Sequence, residues 1–322
     1  MAWPYCRGGE TTMLKHMIGA ALALGVSAGA AWADWAPSGP IKLWIGFGAG
    51  GETDTLGRLI GKEMSDATGW TVVVENKPGG GGIAMFTQLA TVPADGQTIG
   101  MGVSMPVLVN LTVRADQVPF TLDSFDYLAS VASAQLAIVA RKDAPFDDLA
   151  GLLDHAASSD GALVGFDAKP QELLLNVLNK DGGALRPVSM KSSAELVQNL
   201  LGGHLDAAFN AGTHIPYLDS GELKMIASAN AGRHSYAPDT PTVREQGYDI
   251  YVDPVFYIAA PAGLGDDVQS VLSDALLAAM NADTVRDAIQ NALHTEPSGD
   301  GPEATRAMMD DGMKNVATLF GK

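Results

Sequence analysis

Gly46-Phe47-Gly48-Ala49-Gly50-Gly51-Glu52-Thr53-Asp54 joins two stretches of opposite character. Upstream, Ile41 to Phe47 reads as a buried strand. Downstream, Leu56, Leu59, Ile60 and Met64 recur at helical spacing until Gly69 ends the helix. The pattern then repeats. Thr71 to Glu75 is a β-branched strand, Asn76 to Gly82 a second glycine loop, Ile83, Phe86 and Leu89 a short helix, and Thr98 to Val103 a third strand. A second set of alternating strands and helices begins near Gln135: strands at 136–140, 162–166, 186–190, 207–209 and 223–228, helices at 149–157, 171–179 and 194–201. Tyr248 to Ala259 reads as extended, and the remainder is helical. This alternation predicts an α/β fold with largely parallel sheet. Two α/β lobes, joined by extended crossings near 132–136 and 250–256, would enclose a central cleft. Lobe 1 is expected over 34–133 and 254–322, and lobe 2 over 134–253.

The first 33 residues have a different pattern. Met13-Leu14-Lys15-His16 is a short basic stretch, Met17 to Ala30 is small and apolar, and Ala31-Trp32-Ala33 offers an A-x-A site. This predicts a cleaved signal peptide over 1–33, with Met13 an alternative start and 1–12 an upstream extension. No twin arginine precedes the apolar run, so general secretion is expected, and the product is expected to be periplasmic.

The chain of 322 residues is 47% hydrophobic and carries a net charge of −17, from 20 basic and 37 acidic residues. Such an acidic surface repels phosphate backbones, which argues against nucleic acid as a partner. Cys6 is the single cysteine. It lies ahead of the apolar run, so the main body has no disulfide framework, cysteine zinc site or cysteine nucleophile.

The two glycine loops stand at successive strand ends, where open α/β sheets bind their ligands. Glycines let backbone approach a ligand, and the unpaired N–H groups of a helix start favour an anion. Gly46-x-Gly48-x-x-Gly51 also fits the dinucleotide fingerprint, with Glu75 where a ribose-binding acid would stand. Export and a second glycine run directly after Glu75 both weigh against a nucleotide cofactor, and none is expected. Gly57-x-x-x-Gly61-Lys62 has the wrong spacing for a phosphate loop, and Gly102-Val103-Ser104-Met105-Pro106 lacks the second glycine of a nucleophile elbow. His155, His204, His214, His234 and His294 show no metal-ligand spacing; they read as surface or loop residues, and no metal is expected.

Taken together, Ala49 to Asp54, Val72 to Gly82, Ala94-Asp95-Gly96-Gln97-Thr98-Ile99, Leu200 to Asp206, Pro238 to Val243 with Glu245 and Gly247, and Ala259 to Gly263 resemble the TctC or Bug family. These are the extracytoplasmic solute receptors of the tripartite tricarboxylate transporters. The resemblance runs through nearly the whole main body in the family's order. It implies a periplasmic-binding-protein-like fold of type II and a monomeric, non-enzymatic receptor. That receptor would close on a small organic acid and present it to the membrane permease subunits. A sensor-kinase partner, or an exported enzyme using the same cleft, is the alternative.

Position by position, the resemblance implies ligand contacts at Gly50, Gly51, Thr53, Asp54, Gly79, Gly80, Gly81 and Ser104 in the first lobe. In the second lobe it implies Phe166, Asp167, Ala168, Lys169, Asn210 and Ala211. The chain departs from the pattern in places. Ala49 replaces the usual leading proline, Glu52 adds an acid, the hydroxyl-rich second-lobe loop is Gly165 to Pro170, and the family's D-N pair is Phe209-Asn210. Lys169 would then supply a cation for a second carboxylate, or Asp167 and Glu52 would select a ligand bearing an amine.

Overall fold

The computed structural model describes residues 35–179 and 184–319; the expected signal peptide and Cys6 lie outside them. Two five-stranded α/β sheets make up the fold. In the first half of the chain, β1 (Ile41–Ile45) leads to α1 (Glu52–Thr68) and β2 (Val72–Asn76). Then come α2 (Ile83–Leu89), β3 (Thr98–Val103), α3 (Ser104–Val113) and β4 (Phe125–Ser133). The second sheet is built from β5 (Ala137–Arg141), β6 (Ala162–Phe166), β7 (Leu185–Ser189), β8 (Ala207–Asn210) and β9 (Leu223–Ser228). Its helices are α4 (Leu149–Ser158), α5 (Lys169–Leu178), α6 (Ser193–Leu201) and the short α7 (Ile215–Asp219). The chain ends with β10 (Val255–Pro261), α8 (Asp266–Met280), α9 (Asp283–Leu293) and α10 (Pro302–Leu319).

The strand orders, β2-β1-β3-β10-β4 and β7-β6-β8-β5-β9, follow one plan. In each sheet the fourth strand runs antiparallel to both neighbours and is reached by a crossing from the other sheet. Pro187 falls in β7, an edge strand, where a missing N–H costs no ladder bond.

Helix α1 shows why the glycines at 57 and 61 are there. A Cβ on Gly57 would lie 2.4 Å from Ile45 Cδ1, and one on Gly61 3.2 Å from Val72 Cγ1. The helix therefore lies flush on β1 and β2, burying Leu56, Ile60 and Met64. Gly69, at φ 74°, ends it by donating its N–H to the Ser65 carbonyl. The terminal helices pack on the first sheet's layer, α8 and α9 against α1 and α10 against α3 and β4.

Three elements depart from the sequence reading, the short α7 among them. Helix α3 is buried from Ser104 to Asn110 on all sides, so it shows no polar face and no readable period. Strand β4 is buried on both faces from Tyr127 to Ala132 and lies wholly before the expected restart near Gln135. The extended reading from Tyr248 holds only in part, since the chain enters the sheet at Val255.

The crossings are tied to each other. Ala134 N donates to Pro254 O at 2.8 Å, Ala229 N to Leu136 O at 2.8 Å, and Val252 N to Ala229 O at 2.8 Å. The Asn230 side chain clamps them, accepting from Leu136 N at 2.6 Å and donating to Ala134 O at 3.1 Å and to Asp253 at 3.0 Å.

Candidate ligand-binding cleft

Strands β1, β3, β6 and β7 end toward the same gap, and the helices that follow them, α1, α3, α5 and α6, start there. The opening residues of α1 (Glu52, Thr53), α3 (Met105, Pro106), α5 (Pro170, Gln171) and α6 (Ser193) all line one cavity of about 60 Å³. Gly51 and Ala168, the N-caps of α1 and α5, join them. The end of β8 adds Asn210 and Ala211, and the crossings add Ala134, Leu136, Val252 and Pro254. Phe47 and Phe256 complete an apolar wall. A helix start leaves its first N–H groups without intrahelical acceptors and carries partial positive charge. The cavity thus collects donor dipoles from both sheets, while no lysine, arginine or histidine stands among its described lining residues.

Close backbone approach makes this geometry. A Cβ on Gly46 would lie 2.8 Å from Gly82 Cα, so the two glycine loops touch main chain to main chain. Gly79 through Gly82 all have positive φ, a run that only glycine sustains without strain. The lobes meet where Gly48 N donates to Lys191 O at 2.9 Å and Glu52 N to Ser193 Oγ at 3.4 Å.

The expected contacts divide into three groups. Gly51, Thr53, Asp167, Ala168, Asn210 and Ala211 line the inner cavity. Gly79, Gly80, Gly81, Phe166 and Lys169 line a wider outer groove of about 580 Å³, which shares Asp167 and Ala168 with the cavity. There Lys169 Nζ is paired with Glu172 Oε2 at 2.8 Å. Gly50, Asp54 and Ser104 line neither. Gly50 N donates to Asp54 Oδ2 at 2.9 Å, Asn76 Nδ2 to Asp54 Oδ1 at 2.7 Å, and Arg58 pairs with Asp54 at 2.9 Å. Burial alone would raise the Asp54 carboxyl; hydrogen bonds from Arg58, Gly50 and Asn76 outweigh it and hold the group below the usual carboxylate range. Ser104 Oγ accepts from Val255 N at 3.0 Å and faces a groove beside α10.

Ser193 and Gln171 also line the cavity, beyond the contacts expected from the sequence. Ser192-Ser193-Ala194-Glu195 carries a helix-capping signature that was available in the sequence: Ser192 Oγ accepts from Glu195 N at 3.3 Å and Lys191 N donates to Glu195 Oε2 at 2.9 Å. Gln171 Oε1 accepts from Asp167 N at 2.8 Å and Ala168 N at 3.3 Å, so this side chain covers two of the second-lobe donors.

Both acids at the cavity are strongly affected by it. Glu52 is only 6% exposed, its Oε1 has no hydrogen-bond partner, and burial pushes its carboxyl up to about 7. Asp167 is half-buried by surface area and lines both the cavity and the outer groove. Burial pushes it up to about 6, against hydrogen bonds from Gln171 and its own amide.

His214 and His234, expected as surface or loop residues, are 0% and 2% exposed. They belong to a chain of contacts that begins at cavity-lining Asn210. Its Oδ1 lies 3.1 Å from His214 Nδ1, His214 Nε2 lies 2.9 Å from the Tyr236 hydroxyl, that hydroxyl 2.7 Å from His234 Nδ1, and His234 Nε2 2.9 Å from Asn230 Oδ1. Burial, with the neighbouring His234 adding to it, takes His214 down to about 3; burial takes His234 down to about 4. Both are therefore neutral near pH 7. Two neutral imidazoles and one phenol supply three protons to four contacts that end in carbonyl oxygens. One of the four contacts is therefore left without a proton, and the two histidine tautomers decide which.

Known proteins resemble this chain throughout. The model of the tripartite tricarboxylate transporter family receptor, TctC, matches residues 56–318. The UPF0065 protein in the gbd 5' region of Cupriavidus necator is 30% identical over 275 residues, covering 84% of this chain and 83% of that protein. The structure of the periplasmic binding protein BugD is 26% identical with a TM-score of 0.78, covering 89% of this chain and 98% of that one. MatC from Rhodopseudomonas palustris, solved with bound malate, shares the fold at 23% identity and a TM-score of 0.78, covering 88% of this chain and 99% of that one. On the span of that match, the chain belongs to the TctC family of tripartite tricarboxylate transporter receptors, solute-binding proteins of two α/β lobes.

Proposed function

We propose that this receptor works in the periplasm, where it captures a small carboxylate-bearing metabolite between its lobes and delivers it to the permease of a tripartite tricarboxylate transporter. The observation that carries the reading is the convergence of the starts of α1, α3, α5 and α6 on one cavity. Such ends stabilise an anion by about 0.3–2 kcal/mol each through their dipole, and charge-assisted hydrogen bonds add to that. The bound malate of MatC supports the same ligand chemistry by analogy.

In this reading Gly51, Thr53, Ala168, Asn210 and Ala211 meet the ligand in the inner cavity. Gly79 to Gly81 and Phe166 form its mouth, and Gly50, Asp54 and Ser104 brace the loops. Lobe 1 comprises 34–133 and 254–322, lobe 2 comprises 134–253, and the tied crossings between them act as the hinge. Residues 1–33 act as the export signal, and the mature protein acts as a monomer without cofactor or metal.

A thermal-shift screen over mono-, di- and tricarboxylates tests the assignment. A true ligand at 100 times its Kd adds about 2.7 kcal/mol of stability, and calorimetry should confirm one site per chain. A panel in which no carboxylate shifts the melting transition overturns the reading. N-terminal sequencing of the protein from a periplasmic extract should begin at Asp34, and retention of Met1 or Met13 there would refute the cleavage site.

A further inference from the structure

The inner cavity offers a carboxylate its donors, and it also presents two acids with no cation among its described lining residues. Glu52 comes from the first turn of α1 in one lobe and Asp167 from the β6–α5 loop of the other. Glu52 is the more telling. It is 6% exposed, its Oε1 has no partner, and it forms no ion pair among the described residues. The second lobe makes room for it, because a Cβ on Gly212 would lie 2.7 Å from Glu52 Oε2. A buried carboxylate without a partner is strongly unfavourable. A bare acid held at a closed ligand site is therefore accounted for most directly by a cation that arrives with the ligand.

Resting on the reading of the cleft as a carboxylate receptor, we propose that the ligand also bears a cationic amine, seated between Glu52 and Asp167. A primary ammonium has three donors on one small centre and suits acceptors on opposite walls. The carboxylate end then lies against the helix starts, and Phe47, Phe256 and Leu136 enclose the carbon skeleton. The ligand class is an amino acid or another amine-bearing organic acid.

Matched pairs that differ by the amine test this: γ-aminobutyrate against butyrate, β-alanine against propionate, and glutamate against glutarate, each by calorimetry on the full mature protein. In at least one pair the aminated member should bind about tenfold tighter or more, the scale of a close desolvated charge pair. Glu52→Gln should bring the two members of that pair to within about threefold of each other, roughly the error of such couplings. Asp167→Asn provides the same readout from the opposite wall should the first variant fold poorly. If carboxylates bind but the amine-free member is as tight in every pair, the amine site is refuted and the carboxylate receptor stands. A preference that survives both substitutions also refutes it. If no member of any pair binds, and no carboxylate in the wider screen does, both readings fall together.

Discussion

Replacing Glu52 by glutamine should make the ligand-free protein more stable, by an amount that grows with pH. The folded chain holds this carboxyl at about 7 against an ordinary 4.5, and burial is the cause. Below pH 4.5 the group is protonated in both the folded and unfolded chains, and it contributes no pH dependence. Between pH 4.5 and about 7 the unfolded chain has released a proton that the folded chain keeps, so folding stability falls as pH rises. At about 1.4 kcal/mol per pH unit, the interval is worth about 3 kcal/mol, and the full penalty persists above pH 7. Glutamine has nearly the same shape and carries no charge, so it escapes the penalty. Urea unfolding of both proteins at pH 4.5, 6 and 8 should give a difference near zero at the first and about 3 kcal/mol in favour of Glu52→Gln at the last. With an unfolding entropy of about 2.1 cal/mol/K per residue, this is roughly a 5 °C rise in melting temperature at pH 8. A difference that stays flat across this range, or that grows toward acid, would mean Glu52 is ionised and hydrated in the folded protein. The contact with Gly212 would then not bury it.

Lys169→Ala should change affinity for a dicarboxylate by less than about threefold, because its ammonium is already engaged with Glu172 in the outer groove rather than in the inner cavity; calorimetry reads this directly. Gly212→Ala should cost about 1–3 kcal/mol in chemical denaturation, since its φ of 101° strains any side chain and the new Cβ meets the Glu52 carboxyl. Asn230→Ala removes the clamp on Leu136, Ala134 and Asp253, and should cost about 2 kcal/mol while broadening the range of lobe separations seen by small-angle scattering.

The parts of this fold that could be read along the chain are those whose physics is local. Gly46 to Asp54 reveals a strand, a tight turn and a helix start because each step needs particular residue types within a few positions. The second glycine loop repeats the same logic, and the structure brings the two into contact at Gly46 and Gly82. Helix α3 was hidden for an equally physical reason. A helix buried all round has no polar face, and Pro106 near its start looks like a breaker although proline is tolerated in a first turn. The state of Glu52 could not be read at all. Its neighbours Ser193 and Gly212 lie far along the chain, and only lobe packing makes it a buried acid rather than a solvated one. His214 and His234 were hidden for another reason: their partners Asn210, Asn230 and Tyr236 stand nearby along the chain, but no periodic spacing marks the set as buried.

For the carboxylate receptor proposed above, a net charge of −17 and two acids at the cavity raise a question of sign, and magnitudes answer it. Surface charge is screened over about 8 Å at physiological ionic strength, so the distant acids matter little. The two in the cavity are not screened. An ionised carboxylate about 5 Å from a ligand carboxylate costs about 3 kcal/mol at an effective dielectric of 20, enough to offset more than one helix start. A ligand carrying only carboxylates must therefore find Glu52 protonated, and Asp167 protonated or turned toward Gln171. These are the titratable side chains among the cavity's described lining residues, and burial lifts them to about 7 and about 6. Affinity for an amine-free carboxylate should consequently fall as pH rises from 6 to 8, approaching tenfold per pH unit once Glu52 is mostly ionised. Affinity for an amine-bearing acid should hold or rise over the same range, because ionised Glu52 is then its partner. Calorimetry with butyrate and γ-aminobutyrate across that range reads both slopes in one protein. Parallel slopes would mean that neither acid faces the bound ligand.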